Sequence, residues 1–273
     1  MKILIAADME GITGVTTWDQ VDPSTAEYQR FRKLMTADVN AAVQGAFEAG
    51  ATEIVVSDGH WHGSNILVEE VDPRVRLNSG LTTAPFSMMQ GIDDTFDAVM
   101  FVGYHGRAGS ENAVLDHTWS SKLTGVWLNE IHVGEYGLNA ALAGHFGVPV
   151  IMISGDQTAC AQAQELIGDL EAAIVKQATG RYSAECLTPA VAGELIRSAA
   201  RQAVQRLQAG NAPDLFVMDT PVLVTVDFFT SEMADRAMRI PGAERSGNRV
   251  QVSAPDMPSA YVAFRAVAGL GIG

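Results

Sequence analysis

Nearly continuous apolar runs alternate with helical patterns along the chain. The clearest runs are residues 3–7, 53–58, 97–103 and 148–154, and each ends at a turn that is polar or rich in glycine. Unbroken apolar runs of this length are typical of strands that are buried on both faces of a parallel sheet. The pattern therefore predicts an α/β fold in which helices flank a mostly parallel central sheet.

Helical spacing fills the segments between these strands. In residues 25–49 apolar side chains recur four residues apart, and Gly50 follows as a residue type that commonly ends helices. Thr188 and Pro189 form a helix start, because threonine is a frequent N-cap and proline fits the first helical turn. The helix that they open is predicted to run to about residue 208.

A second, smaller unit is predicted at the end of the chain. The composition shifts over residues 190–214, and strand patterns at 221–229 and 250–253 precede a final helical pattern. We expect the chain to divide into an α/β domain over residues 1–210 and a smaller C-terminal α+β subdomain over residues 211–273 that packs on it.

The balance of charge narrows the classes of partner. The chain of 273 residues has a formal net charge of −14, with 18 lysine and arginine residues against 32 acidic residues. Nucleic acids and anionic membrane surfaces attract basic patches, so we expect neither as a partner. A cation site suits this charge, although an ordinary acidic surface is enough to explain most of it.

The cellular location is predicted from features that the sequence lacks. No stretch approaches the roughly 18 consecutive apolar residues that a transmembrane helix needs. The chain begins directly with a strand pattern, without the features of a signal peptide. Its two cysteines, Cys160 and Cys186, do not form a CxxC pair. We expect free thiols in a reducing compartment, and therefore a cytoplasmic protein.

Acidic and histidine residues lie where the predicted strands end. Asp8 and Glu10 follow the first strand, while His60 and His105 follow the second and the third. Because the carboxyl ends of parallel strands meet at one edge of a sheet, we expect these side chains to converge there. Glu135, at the start of a later helix, is placed to reach the same edge.

This combination of carboxylates and imidazoles suits zinc, manganese or iron. Two acids as close as Asp8 and Glu10 repel each other unless a cation or a shared proton lies between them. Five such ligands exceed what one zinc ion usually takes from a protein, and they suit two metal ions that share a carboxylate and activate water. The residues alone leave simpler explanations open, since acids also cap strand ends and histidines also serve as hydrogen-bonded core residues.

The positions of the other four histidines predict different roles for them. His117 lies in a loop between candidate ligands, and the sequence leaves open whether it is a ligand, a proton shuttle or a simple loop residue. His62 is predicted to lie behind the ligands or at the surface, and His132 is predicted to be structural. His145 is placed at a helix C-terminus, which favours a positive charge.

Several long motifs occur in one order along the chain. They are DMEGITG at 8–14, RKLMTADVNAA at 32–42, SDGH at 57–60, MMQGIDDTFDAVMFVGYH at 88–105, DHTWS at 116–120, GEYGLNAALAG at 134–144 and VPVIMISGD at 148–156. Together they resemble the zinc-dependent D-aminopeptidase family of the bacterial dipeptide-operon type. The similarity extends from the N-terminus to about residue 200 and continues more weakly to the end.

The resemblance implies a binuclear zinc aminopeptidase, with two Zn²⁺ per subunit bound in the first domain. The implied metal ligands are Asp8 as the bridging carboxylate, Glu10, His60, His105 and Glu135. His117 in DHTWS matches the family's catalytic histidine. That histidine is described as a nucleophile in the family. We favour a general acid/base beside a metal-activated water, because such a water is already a competent nucleophile.

The reaction that the resemblance implies is removal of the N-terminal residue, expected to be a D-amino acid, from short peptides. Members of the family assemble into a ring-shaped decamer, so we also expect a homo-oligomer here. No residue type encodes a preference for D- over L-residues, so an L- or glycyl-aminopeptidase stays open. Two further alternatives are a related metal-dependent amidase or deacylase and a metal-binding module without activity.

Overall fold

The computed structural model describes residues 1–80 and 83–273, where strands and helices alternate much as the apolar pattern predicts. The strands are β1 (Lys2–Ala7), β2 (Glu53–Asp58), β3 (Arg76–Asn78), β4 (Ala98–Tyr104), β5 (Leu123–Leu128), β6 (Ile131–His132), β7 (Val150–Asp156), β8 (Glu171–Gly180), β9 (Ser183–Cys186), β10 (Val222–Phe228), β11 (Glu244–Ser246) and β12 (Arg249–Ala254). The helices are α1 (Tyr28–Glu48), α2 (Glu135–His145), α3 (Gln157–Ile167), α4 (Pro189–Gln208), α5 (Ser231–Ala237) and α6 (Met257–Ile272). No helix in this part of the chain is long and apolar enough to cross a membrane.

The larger sheet has seven strands in the order β3-β2-β1-β4-β7-β8-β9. Its neighbouring strands are parallel except for β8 and β9, which confirms the predicted α/β class with a mostly parallel sheet. The strands β4 and β7 are buried along their whole length. Strands covered on both faces need apolar side chains on both faces, which explains their unbroken apolar sequence.

The order of strands reverses at β1. From β1 the sheet extends to β2 and β3 on one side, and to β4 and β7 on the other. A reversal of this kind leaves a crevice beyond the carboxyl ends of the strands. The residues that directly follow β1, β2 and β4 therefore open into one crevice.

Side chains of β1 alternate between the two faces of this sheet. Ile3 and Ile5 pack in a cluster with α1 and α4, whereas Leu4 and Ala6 pack in a cluster with α2 and the second sheet. All four side chains are fully buried, and each buried isoleucine or leucine contributes about 1.5–3 kcal/mol. Burial on both faces holds β1, and the loop that follows it, in a fixed position.

The second sheet has five strands in the order β11-β12-β10-β5-β6. It is antiparallel, and α6 packs against its strands β10 and β12. Its strands β5 and β6 form a hairpin that turns at Asn129 and Glu130. Because β10 pairs with β5, this sheet joins the end of the chain to its middle. The domain boundary near residue 210 stays a prediction.

The apolar pattern missed several short elements, namely β3, β9, β11 and α5. None of the residues in β3, β9 and β11 is buried, so these strands have no apolar run to reveal them. The helix α5 has seven residues, which is too short for a repeated helical spacing. These elements lie away from the crevice at the ends of β1, β2 and β4.

Candidate metal centre

The loop after β1 carries Asp8 and Glu10 into the crevice, where they are 3% and 2% exposed. The loop lies directly against β4, since the Gly11 amide donates to the Gly103 carbonyl oxygen at 2.8 Å. A Cβ on Gly11 would lie 1.9 Å from the carbonyl oxygen of Tyr104. Only glycine permits this approach. Gly11, the first glycine of DMEGITG, therefore fixes where the two carboxylates lie.

A buried lysine holds the same loop from β8. Lys176 is 1% exposed, and its ammonium donates to the carbonyl oxygens of Glu10 at 2.6 Å, Ile12 at 3.0 Å and Val15 at 2.7 Å. Three acceptors match the three N–H groups of an ammonium. Burial lowers the pKa of Lys176 to about 8, against the opposing effect of Asp156. Sequence reasoning missed this residue, whose only signal is a lysine that directly follows the apolar residues 172–175.

His60 reaches the centre from the turn after β2. Its Nδ1 lies 3.4 Å from Asp8 Oδ1 and 3.1 Å from Glu10 Oε2. Its other ring nitrogen, Nε2, lies 2.8 Å from the carbonyl oxygen of Val21, which accepts its proton. This contact sets the tautomer and leaves the Nδ1 lone pair of a neutral imidazole pointing at the two carboxylates.

His105 forms a matching group on the other side of Asp8. Its Nε2 lies 3.2 Å from Asp8 Oδ2 and 3.3 Å from Glu135 Oε1. Its Nδ1 donates to the Gly106 carbonyl oxygen at 3.0 Å, so the Nε2 lone pair faces the carboxylates. The two oxygens of Asp8 therefore face two different histidines, as expected of a carboxylate shared between two ions.

The structure brings all the predicted ligands together with His117. Ligand atoms within 4.8 Å of one another form three overlapping groups. The groups are Asp8, Glu10 and His60; Asp8, His105 and Glu135; and Glu10, His105 and His117. Below, the first two are called the His60 group and the His105 group. They share only Asp8.

Polar atoms in both groups point at one another without bonding. Within residues 1–80 and 83–273, the buried atoms that have no hydrogen-bond partner include Asp8 Oδ2, Glu10 Oε2 and His105 Nε2. Burial opposes a charge on His60 and on His105, yet the adjacent carboxylates hold both pKa values well above the usual range. The lone pairs of these atoms thus lack a hydrogen-bond donor, and the carboxylates attract positive charge. Metal cations bind lone pairs and supply positive charge, so the donor set fits metal ions.

His117 lies against both groups. Its ring stacks on that of His105, with the centroids 3.9 Å apart. Its Nε2 is 3.8 Å from Glu10 Oε1 and 3.8 Å from Glu135 Oε1, while its Nδ1 donates to the Leu115 carbonyl oxygen at 2.7 Å. Burial and the adjacent His105 lower the pKa of His117. The side chain thus presents an unprotonated nitrogen to the centre.

A cavity of about 580 Å³ opens onto the metal groups. Trp18, Trp61 and Trp119 line it. The ring of Trp18 packs edge-on against His117, with the centroids 5.2 Å apart, and the Trp119 amide donates to Glu135 Oε1 at 2.7 Å. A cavity of this size, with aromatic side chains in its walls and convergent polar groups at its base, suits a small ligand. Sequence reasoning missed these walls because isolated tryptophans form no periodic pattern.

Asp58 and the other histidines lie outside the metal groups. Asp58 accepts hydrogen bonds from the main-chain and side-chain nitrogens of Asn65, and Asn65 in turn donates to the His60 carbonyl oxygen. Asp58 therefore shapes the turn that carries His60 without facing the centre. The other histidines are His62, which is exposed, His132, which stacks on Trp127, and His145, which ends α2.

The fold and the centre define a metal-dependent hydrolase, because a parallel sheet presents carboxylates, imidazoles and a free histidine nitrogen to one cavity. A family model described as D-aminopeptidase matches residues 1–266. The chain belongs to this family, and it is a metallo-aminopeptidase. The resemblance that the motifs predict is thereby confirmed.

A known protein sequence and a solved structure are similar over nearly the whole chain. The D-aminopeptidase of Bacillus subtilis (strain 168) is 39% identical over 266 residues, which are 97% of this chain and 95% of that protein. A solved structure from Bacillus subtilis is described as the Zn-dependent D-aminopeptidase DppA, a self-compartmentalizing protease. It matches with a TM-score of 0.96 and 35% identity, covering 100% of this chain and 98% of the other.

Proposed function

We propose that the enzyme is a binuclear zinc aminopeptidase that removes an N-terminal D-amino acid from short peptides. The observation that carries the proposal is Asp8, which presents one oxygen to the His60 group and the other to the His105 group. Zinc is supported by the donor set and by the zinc dependence of the similar solved structure. The D-amino acid is supported by the descriptions of the family and of the Bacillus relative.

Two ions per subunit are proposed, one in the His60 group and one in the His105 group. The proposed ligands are Asp8, shared by both ions, with Glu10, His60, His105 and Glu135. Bound zinc would polarise the scissile carbonyl and lower the pKa of a water molecule. The carbonyl oxygens of Val21 and Gly106 accept the N–H protons of His60 and His105. The unprotonated nitrogen of each ring then faces the proposed ion.

We assign His117 the role of general acid and base. Because its Nδ1 donates to the Leu115 carbonyl oxygen, the neutral ring carries its lone pair at Nε2, which faces the centre. That nitrogen accepts the proton of the attacking water and returns it to the nitrogen of the leaving amine. The His117 ring packs between those of Trp18 and His105, which restricts its rotation.

We also propose that the enzyme acts as a homo-oligomer of ten subunits in the cytoplasm. The oligomer is supported by the self-compartmentalizing description of the similar structure, and the number of subunits by the family resemblance. The location is supported by the two cysteines, Cys160 and Cys186, which are both free thiols.

The proposal is tested by hydrolysis of matched D-Ala and L-Ala dipeptides and p-nitroanilides. Metal-free protein is compared before and after zinc is added back, together with His117→Ala and a matched control, His62→Ala, at an exposed histidine. We expect zinc-dependent cleavage that prefers the D-series. Loss of the proton transfer in His117→Ala should lower kcat about 10²–10⁴-fold while zinc stays bound, and His62→Ala should keep full activity.

Other outcomes separate the alternatives. Zinc-dependent cleavage of the L-series alone would keep the mechanism and assign an L-aminopeptidase. Cleavage of non-peptide amides in place of peptides would assign a related amidase or deacylase. Zinc binding without cleavage of any of these substrates would reject the proposed activity.

A further inference from the structure

The cavity carries charged side chains that the two metal groups do not use. Asp22, Lys122 and Arg265 all line it, and Arg265 already donates to the Ala84 carbonyl oxygen. The other carboxylates in its lining, Asp8, Glu10 and Glu135, all belong to the metal groups. Asp22 is therefore an acid that faces the cavity without a role in the proposed centre, and Lys122 is a cation beside an acidic site.

Asp22 is fixed on the side of the His60 group. It directly follows Val21, whose carbonyl oxygen accepts the Nε2 proton of His60. Its own amide donates to the Trp18 carbonyl oxygen at 2.9 Å, and the ring of Trp18 packs against His117. The turn that carries Asp22 is thus tied to two imidazoles of the centre, which fixes the carboxylate in the wall of the cavity.

The carboxylate of Asp22 has room for a ligand. One oxygen, Oδ1, accepts a hydrogen bond from the Ser24 amide at 2.8 Å. The side chain of Ser24 also contacts this carboxylate, and the two oxygens together have further acceptor positions for a ligand. The contacts with Ser24 lower the pKa of Asp22, so the side chain is an anion at neutral pH.

Lys122 lines the same cavity from the start of β5. It comes three residues after Trp119, whose amide donates to Glu135 Oε1 of the His105 group. The Lys122 ammonium donates one hydrogen bond, to the Ile272 carbonyl oxygen at 3.1 Å. An ammonium has three N–H groups, so two remain for a ligand.

We propose that the cavity recognises both charged ends of a short, unblocked peptide: Asp22 binds the N-terminal ammonium and Lys122 binds the C-terminal carboxylate. This inference rests on the proposed aminopeptidase function. It sets the direction of the substrate, whose N-terminal residue lies beside His60 and whose leaving amine points towards Glu135. The scissile bond then lies between the two ends, under His117.

The two contacts are expected to differ in strength. Asp22 lies in the wall of the cavity, and loss of one hydrogen bond between charged groups there weakens binding about tenfold or more. Lys122 is exposed, so its attraction for a carboxylate is screened by water and salt, and about threefold is expected.

The test measures KM and kcat for D-Ala-D-Ala and for its C-terminal amide with zinc-loaded enzyme. The variants are Asp22→Asn, which keeps an acceptor for Ser24, and Lys122→Met. Their controls are Asp19→Asn in the same turn and Lys33→Met on α1, two exposed residues outside the cavity lining. D-lactoyl-D-alanine, in which a hydroxyl replaces the ammonium, serves as an inhibitor.

We expect Asp22→Asn to raise KM for the dipeptide about tenfold at nearly constant kcat, and to leave the inhibition constant of the lactoyl compound unchanged. Lys122→Met should raise KM for the free acid about threefold and leave KM for the amide unchanged. Wild-type KM in both variants would overturn the inference and leave the proposed function standing. A wild-type enzyme without zinc-dependent cleavage would overturn the proposed function and this inference with it.

Discussion

Asp8 presents its two carboxylate oxygens to two different histidines, at 3.4 Å to His60 and 3.2 Å to His105. The carboxylate is buried, and one of its oxygens has no hydrogen-bond partner among the described residues. An uncompensated charge in this environment is costly, and the proposed metal ions beside both oxygens would compensate it. The proposed pair of metal ions thus depends on a single side chain.

Replacing Asp8 by asparagine should therefore reduce the number of bound zinc ions. The amide is neutral and offers one acceptor oxygen in place of two, so the variant cannot bridge two ions as a carboxylate does. We expect two ions per subunit in the wild type and at most one in the variant, measured by elemental analysis after dialysis. Asp19→Asn, at an exposed acid nearby, should keep two. Equal zinc content in Asp8→Asn and the wild type would contradict the bridging role.

Asp38 of α1 gives a separate prediction about pH. It accepts hydrogen bonds from the amide and hydroxyl of Thr13, yet its burial raises its pKa to about 6. A carboxyl whose pKa is raised by folding stabilises the folded state at low pH, and this contribution is lost as the pH rises through 6. Asparagine at this position does not titrate. The free energy of unfolding of the wild type relative to Asp38→Asn should fall by about 2 kcal/mol between about pH 4.5 and 7.

Urea unfolding of both proteins with a chelator present measures this difference, because the titration of all other groups cancels between them. A difference that stays constant over this range would show that Asp38 is ionised when folded at both ends of it.

The sequence was enough to predict which residues meet in the centre, but not which of their atoms face one another. The position of Asp8, His60 and His105 at strand ends was enough to predict that they converge, because parallel strands present their ends at one edge. The sequence left open which oxygen of Asp8 faces which imidazole, because that depends on side-chain rotation. Asp22 and Trp18 were missed since nothing in a polar loop marks the residue that lines a cavity.

At the scale of elements, the loop after β1 is held by its neighbours more than by its own sequence. Gly11 allows it to touch β4, and Lys176 of β8 ties three of its carbonyl oxygens together. Both contacts join residues that are far apart in the chain. Sequence patterns predicted the central strands and the long helices, whereas contacts of this kind follow only from the packed sheet.

Lys176→Met should weaken zinc binding without touching a ligand. Methionine fills a similar volume but donates no hydrogen bonds, so the carbonyl oxygens of Glu10, Ile12 and Val15 lose their partner and the loop is free to shift. Changes in groups that support metal ligands typically cost 10–100-fold in affinity, so we expect about tenfold. Competition with a chromophoric chelator measures the affinity.

The control for this variant is Lys33→Met, which removes an exposed lysine from α1. It should bind zinc as the wild type does. If Lys176→Met also kept the wild-type affinity while its thermal stability fell, the lysine would serve the fold and not the metal loop.

At the scale of the whole molecule, the similar solved structure covers the entire chain, including the second sheet. That structure is described as self-compartmentalizing, and we expect this chain to assemble as well. Sedimentation equilibrium should give a mass that is a multiple of the subunit mass of 29.0 kDa, and ten subunits are expected from the family resemblance. A mass of one subunit at micromolar concentration would contradict the proposed assembly.

The most direct test of the account is anomalous X-ray diffraction at the zinc edge from crystals of the zinc-loaded enzyme. We predict two anomalous peaks per subunit, one among Asp8, Glu10 and His60 and the other among Asp8, His105 and Glu135, with Asp8 contacting both. A single peak, or peaks away from these residues, would contradict the proposed binuclear centre.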